Sequence, residues 1–244
     1  MTLNFFAPAA ALPREARRFW WLAAAAGAAY AFSLRGAPYA DQAVAKALLC
    51  ALLLFAALYH RAPGERPWLC ATLILSGAGD VLLAIPTLMS GFVLGLAAFL
   101  LAHLAYFALF WRLRRPWARV PRWHRVAIVV VWIAAALSYA MYWPGMGGLK
   151  APVACYVIVL AMMATAALLA DLPGEWAAVG ALLFTVSDAL IGTTRFVGAI
   201  PAQEYAIWIF YALAQLLLSA GIMAARTPRL PDVAQEDMGH ADGA

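Results

Sequence analysis

Charge is what this sequence has least of. Only 12% of its 244 residues are Asp, Glu, Lys or Arg, against 66% hydrophobic, and the mean hydropathy is +0.82. A soluble domain carries about 25% charged residues. So few polar groups cannot cover a water-soluble protein of this length, which excludes a soluble enzyme, a nucleic-acid binder and a disordered chain. Cysteine is scarce too: Cys50, Cys70 and Cys155 each fall inside an apolar run, with no disulfide framework and no zinc spacing. Alternation of apolar and polar residues at period two is missing, which excludes a membrane β-barrel. There is no Ser-His-Asp order, no GxSxG elbow and no Walker string. The start lacks the shape of a secretory signal, because Arg14, Arg17 and Arg18 follow the first apolar stretch.

What the sequence does have is long apolar runs. A helix needs about 20 such residues to cross a hydrocarbon core of about 30 Å. Eight stretches qualify: 19–34, 43–59, 68–85, 88–110, 126–142, 151–170, 176–192 and 205–225. The expected fold is an all-α integral membrane protein of eight transmembrane helices, with a membrane domain over 19–226. Segment 1–18 precedes it and a polar, acidic, flexible tail over 227–244 follows.

Basic residues orient the bundle. Arg14, Arg17 and Arg18 precede the first span, and Arg61 and Arg66 lie between the second and third. Six arginines from Arg112 to Arg125 join the fourth to the fifth, and Arg226 and Arg229 follow the last. The opposite face has only Arg35, Lys150 and Arg195, with Lys46 inside a span. Lys and Arg stay cytoplasmic, so both termini are expected inside. The formal net charge of +5 is then a matter of topology rather than of a nucleic-acid partner. The apolar helices and short loops point to a bacterial inner membrane.

Two stretches resemble each other. Asp80 lies 12 residues after Trp68, and Asp188 lies 12 residues after Trp176, an offset of 108 between the aspartates. Each is followed by a helix with a polar residue in its middle, His103 in one and Gln215 in the other. This predicts a four-plus-four parallel repeat, about 19–112 and 126–226, related by an axis along the membrane normal. At about 1.5 Å per residue both carboxylates sit about 18 Å from the cytoplasmic edge, near mid-membrane. If the repeats pack face to face, the carboxylates can meet.

Ionisable groups at that depth are costly and point to function. Two adjacent carboxylates cannot both ionise easily, which makes a proton donor beside a base. The plainer alternative has each Asp bonding the Ser and Gly backbone nearby. Lys46 near the outer mouth and Arg195 on an outer loop can hold a phosphate above the pair, or be a snorkelling lysine and a plain loop charge. His103, Tyr106, Tyr156, Tyr211 and Gln215 are polar enough to line a pocket, and equally suited to packing. No metal cluster assembles from the remaining histidines. Gly77-Ala78-Gly79-Asp80 also matches the GxGD string of intramembrane aspartyl proteases. Against that, the second Asp lies downstream in Ser187-Asp188, and no Pro-Ala-Leu follows.

The sequence resembles the YhhN-type lysoplasmalogenase family across all eight spans. The residues that carry the resemblance are Lys46, Gly79-Asp80 followed by Leu82-Leu83, and His103-Leu-Ala-Tyr106. Two further stretches belong with them, Pro152-Val153…Tyr156…Met162 and Phe184-Thr-Val-Ser187-Asp188-Ala-Leu190. Ala47 stands where the family pattern leads one to expect proline. The resemblance implies hydrolysis of the vinyl-ether bond of lysoplasmalogens, giving a fatty aldehyde and glycerophosphoethanolamine or glycerophosphocholine. Asp80 and Asp188 would be acid and base, with the order open. Lys46, His103, Tyr106, Tyr156, Arg195 and Gln215 would bind a lysophospholipid drawn from the membrane lipids, with no cofactor. The division of labour is that of the two carboxylates of glycosidases. The competing reading is a proton-coupled transporter or lipid flippase, since parallel repeats with midplane carboxylates also build carriers. A structural membrane protein without activity is a third.

Overall fold

A computed structural model describes residues 7–85 and 91–224. Among them a single turn of helix, α1 (Ala7–Ala10), precedes eight long helices. These are α2 (Arg14–Ser33), α3 (Gln42–Leu58), α4 (Arg66–Ala84) and α5 (Gly91–Arg112), then α6 (Arg122–Tyr142), α7 (Lys150–Leu169), α8 (Trp176–Phe196) and α9 (Gln203–Ala224). No strand occurs among the described residues; one isolated bridge joins Arg114 to Ala170. The helices match the expected apolar runs to within a few residues. Position 88, the tail over 227–244, and Arg226 and Arg229 lie outside the described residues.

Local signals place the helix starts. Pro13 and Pro121 stand immediately before α2 and α6, and Pro67 lies in the first turn of α4. Proline suits these positions because its φ is already helical and its missing N–H would have no intrahelical partner there.

Six helices, α4 to α9, are long and apolar enough to cross a membrane. Helix α3 is apolar but only 17 residues long, and α2 opens on Arg14, Glu15, Arg17 and Arg18. Surface and interior are inverted relative to a soluble bundle. On α6, Val126, Val129, Val130, Ile133 and Leu137 are each more than half exposed, from 54% to 67%. Asp80, His103, Asp188 and Gln215 are buried inside. Apolar side chains outside and polar groups inside suit a hydrocarbon solvent. The protein is a multi-pass integral membrane protein.

The chain does not simply meander. Helix α5 packs on α4 and then on α7, while α9 packs on α8 and returns to α2 and α3. The α8–α9 crossing is close because it is built on glycine: a Cβ at Gly180 would lie 2.9 Å from Leu218 N, and one at Gly221 would lie 2.8 Å from Ala177 N. Trp20 is buried and donates Nε1–H to Leu216 O at 3.0 Å. Trp21, Trp111 and Trp123 remain exposed, as a belt requires.

At the arginine-rich end, the loops after α5 and α7 are tied together. Arg115 N donates to Leu169 O at 2.9 Å, Asp171 N donates to Leu113 O at 2.7 Å, and the Arg115 guanidinium reaches Ala170 O. Two buried histidines brace connections, His124 the one after α7 and His60 the one between α3 and α4. His124 bonds Glu175 at 2.7 Å and Leu168 O at 2.5 Å, and His60 bonds Glu65 at 3.0 Å.

Candidate active site at the two aspartates

Asp80 sits on the last third of α4 and is 1% exposed. Tyr211, on α9, donates its hydroxyl to Asp80 Oδ2 at 2.6 Å. Lys46, on α3, brings Nζ to 3.4 Å from Oδ1. Cys50, one turn further along α3, lies 3.7 Å from Oδ2 and 3.1 Å from the Tyr211 hydroxyl. The carboxylate is therefore held by a cation and a phenol, the charge-assisted pattern that keeps a buried acid from being left unpaired. The lysine is no free snorkelling side chain. Its ammonium turns inward to a buried partner.

Asp188 occupies the matching place on α8. Its Oδ2 accepts from the Tyr156 hydroxyl at 2.5 Å and lies 3.0 Å from His103 Nε2, with His103 and Tyr156 themselves 3.1 Å apart. An imidazole with its proton on Nε2 donates to the carboxylate here. His103 Nδ1 is buried with no hydrogen-bond partner. No lysine or arginine stands beside Asp188 among the described residues, so the two aspartates are held by different chemistry.

The pairing crosses between the two halves of the chain. Asp80 takes its phenol from α9, and Asp188 takes its imidazole from α5. His103 and Tyr211 are 108 residues apart, the same offset as Asp80 and Asp188. The sequence suggested Gln215 as the counterpart of His103; Tyr211, one turn earlier, is the residue that does the equivalent bonding. Gln215 stands behind it, accepting from the Tyr106 hydroxyl at 2.9 Å and donating to the Tyr211 hydroxyl at 3.3 Å. Tyr106 and Gln215 line neither cavity and act as support. The offset itself was the signal that could have paired Tyr211 with His103.

The two carboxylates do not bond each other. They share a chamber of about 250 Å³, walled also by Lys46, Gln42, Tyr30, Trp208, Tyr211 and Glu204. A second cavity, about 100 Å³, adjoins it between α5, α6, α7 and α8. This one is an apolar groove, walled by Leu96, Val131, Ala134, Ala135, Val157, Leu160 and Phe196 among others. Asp188, Leu83, Phe99 and Ile191 border both, whereas Asp80 and Lys46 border only the chamber. Asp188 thus stands at the doorway between a charged room and a greasy one.

Arg195 is elsewhere. It is exposed at the end of α8, its guanidinium 4.8 Å over the Phe92 ring, and it walls neither cavity. A full turn of helix separates it from Ile191, so the phosphate clamp expected from Lys46 with Arg195 is not assembled. Gly79 of the GxGD string has a packing reason: a Cβ there would lie 2.6 Å from the Phe99 ring. No group of three or more His, Cys, Asp or Glu that could hold a metal occurs among the described residues.

A sequence model of the YhhN family matches residues 41–222, which include Lys46, Asp80, His103, Tyr156, Asp188 and Tyr211. Curated relatives named lysoplasmalogenase from Mycobacterium bovis and Mycobacterium tuberculosis are each 39% identical over 234 residues, covering 90% of this chain and 88% of theirs. Lysoplasmalogenase TMEM86B of Sus scrofa is 28% identical over 181 residues, 73% of each chain. No solved structure matches. The family match runs from just before α3 into α9 and the mycobacterial relatives cover 90% of the chain, so the chain belongs to the YhhN family.

Proposed function

We propose that the protein is a membrane hydrolase that cleaves the vinyl-ether bond of lysoplasmalogens, releasing a fatty aldehyde and glycerophosphoethanolamine or glycerophosphocholine. The observation that carries this is the position of Asp188, on the boundary between the charged chamber and the apolar groove. A lysoplasmalogen has its reactive bond at the same boundary, where a polar glycerophosphate meets a hydrocarbon chain. The names and identities of the mycobacterial relatives support the substrate class.

The geometry suggests an order for the acid and the base. With the chain in the groove and the headgroup in the chamber, the outer alkene carbon lies on the Asp188 side. Asp188, entering as the acid, transfers its proton to that carbon and leaves an oxocarbenium ion at the carbon bonded to oxygen. Asp80, on the headgroup side, takes a proton from the water that attacks this carbon, giving a hemiacetal. The hemiacetal collapses as Asp80 returns its proton to the departing glycerol oxygen and the hemiacetal hydroxyl reprotonates Asp188. Both carboxyl groups are restored. His103 and Tyr156 hold the Asp188 carboxylate between the steps, and Lys46 and Tyr211 orient Asp80. Lys46 is also the cation nearest a phosphate in the chamber.

We infer that all eight long helices cross the membrane as two parallel sets of four, with both termini cytoplasmic, in a bacterial inner membrane. The basic residues of the connecting segments and the matched offsets of Asp80/Asp188 and His103/Tyr211 support this.

The test is aldehyde release by purified protein from a 1-alkenyl lysophospholipid, with the saturated 1-alkyl ether as control. Run in D2O, the reaction places one deuterium on the aldehyde α-carbon. A carrier releases no aldehyde, and cleavage of the saturated ether would exclude alkene protonation.

A further inference from the structure

The outer part of the chamber has features that the bond-breaking chemistry leaves unused. Glu204 lies in the first turn of α9 and walls the chamber, and no hydrogen bond or ion pair holds its carboxylate among the described residues. One turn further along α9, Trp208 walls the same chamber, with Tyr30 of α2 packed against it. Tyr30 and Trp208 pack with centroids 4.3 Å apart and an interplanar angle of 57°. Both are fixed from behind: Trp208 Nε1–H donates to Gly27 O at 2.8 Å, and Gln42 donates to the Tyr30 hydroxyl at 3.1 Å. A carboxylate beside rigid aromatic rings attracts an ammonium group through its charge and through the negative ring faces.

The charge balance of the chamber points the same way. Its ionisable walls include one cation, Lys46, against three carboxyl groups, Asp80, Asp188 and Glu204. Lys46 is already committed to Asp80 at 3.4 Å. A headgroup bearing only negative charge meets an excess of anionic walls, whereas a zwitterion can set its phosphate toward Lys46 and its ammonium toward Glu204.

We propose that Glu204, with the Tyr30 and Trp208 rings, forms an ammonium subsite that selects phosphoethanolamine and phosphocholine headgroups over headgroups without a cation. The proposal rests on the lipid-hydrolase reading of this cavity and assigns its headgroup end. Glu204 touches the substrate far from the reacting bond, so its removal acts on substrate preference and not on the chemical step.

The experiment compares kcat/KM for a 1-alkenyl glycerophosphoethanolamine and a 1-alkenylglycerol 3-phosphate in wild type, Glu204→Gln and Glu204→Asp. Wild type prefers the ammonium-bearing lipid, and Glu204→Gln lowers that preference roughly five- to tenfold through KM, with kcat kept. Glu204→Asp retains part of it. Continued turnover of the ammonium-free lipid shows that the variant is folded. An unchanged preference ratio in Glu204→Gln overturns the subsite while leaving the hydrolase intact. If wild type releases no aldehyde from either lipid, the hydrolase reading falls, and calorimetric binding of glycerophosphocholine against glycerol 3-phosphate still decides the subsite. Equal loss of both ligands, or of neither, in Glu204→Gln rejects it.

Discussion

Tyr211 donates its hydroxyl to Asp80 across the bundle at 2.6 Å, from the fourth long helix of the second half to the third long helix of the first. His103 makes the reciprocal contact with Asp188 at 3.0 Å. Each aspartate is thereby locked to the opposite half, and the relative position of the halves sets the depth and separation of the two carboxyl groups. A shift of one half would disturb both at once.

Asp80→Asn and Asp188→Asn should each lower kcat for aldehyde release by about 10²–10⁴-fold, the usual worth of a positioned general acid or base. Each variant should still insert and elute as wild type does. Activity within a few-fold of wild type in either one removes the two-carboxylate mechanism.

Lys46→Met leaves Asp80 buried without its cation. We expect a loss of about 2–4 kcal/mol of stability, because stranding one member of a buried pair costs more than removing both. The double variant Lys46→Met with Asp80→Asn should recover much of that stability and none of the activity. Thermal unfolding in detergent, with aldehyde release alongside, measures both.

Ala134→Phe adds a ring to the wall of the apolar groove. Its effect should be on the chain: kcat/KM for long-chain alkenyl substrates drops about tenfold, within the range a pocket wall discriminates by size, and short-chain substrates are spared. An equal loss for all chain lengths would mean the chain lies elsewhere.

His124→Leu removes a buried imidazole that ties α6 to Glu175 and Leu168 O. The expected cost is about 1–3 kcal/mol of stability, from Glu175 and the carbonyl losing their partner. Turnover per folded molecule should stay near wild type, since neither group borders the cavities. A KM change would connect the loops that His124 braces to the site.

Gly180→Leu should separate α8 from α9, because a Cβ there already falls 2.9 Å from the Leu218 amide. Overpacking of this kind costs about 1–3 kcal/mol. It should also reduce turnover, as α8 carries Asp188 and α9 carries Tyr211. Activity retained at full strength would show that the crossing tolerates movement.

Much of this protein was written in one dimension. The scarcity of charge and the length of the apolar runs made it a membrane protein of long helices. Asp80 and Asp188 each lie 12 residues after a tryptophan, Trp68 and Trp176, and a constant rise per residue makes those two axial distances equal. Lys46, His103 and Tyr156 could be named as site residues from type and position, and all three reach the aspartates. Gln215 and Tyr106 stand as support behind Tyr211, and Arg195 turns away to Phe92.

Distance along a helix axis is a local property, and sequence alone determined it. Direction around the axis is different. Whether Asp80 meets Asp188 or Tyr211, and whether Glu204 faces the chamber, depends on which helices become neighbours. Only the tertiary structure decided that α5 turns to α7 and α9 returns to α3. Those packings separate a charged chamber from an apolar groove with Asp188 between them. The physical reason is that spacing in sequence fixes rise and periodicity, while side-chain partners are chosen by close packing between helices that are far apart in the chain.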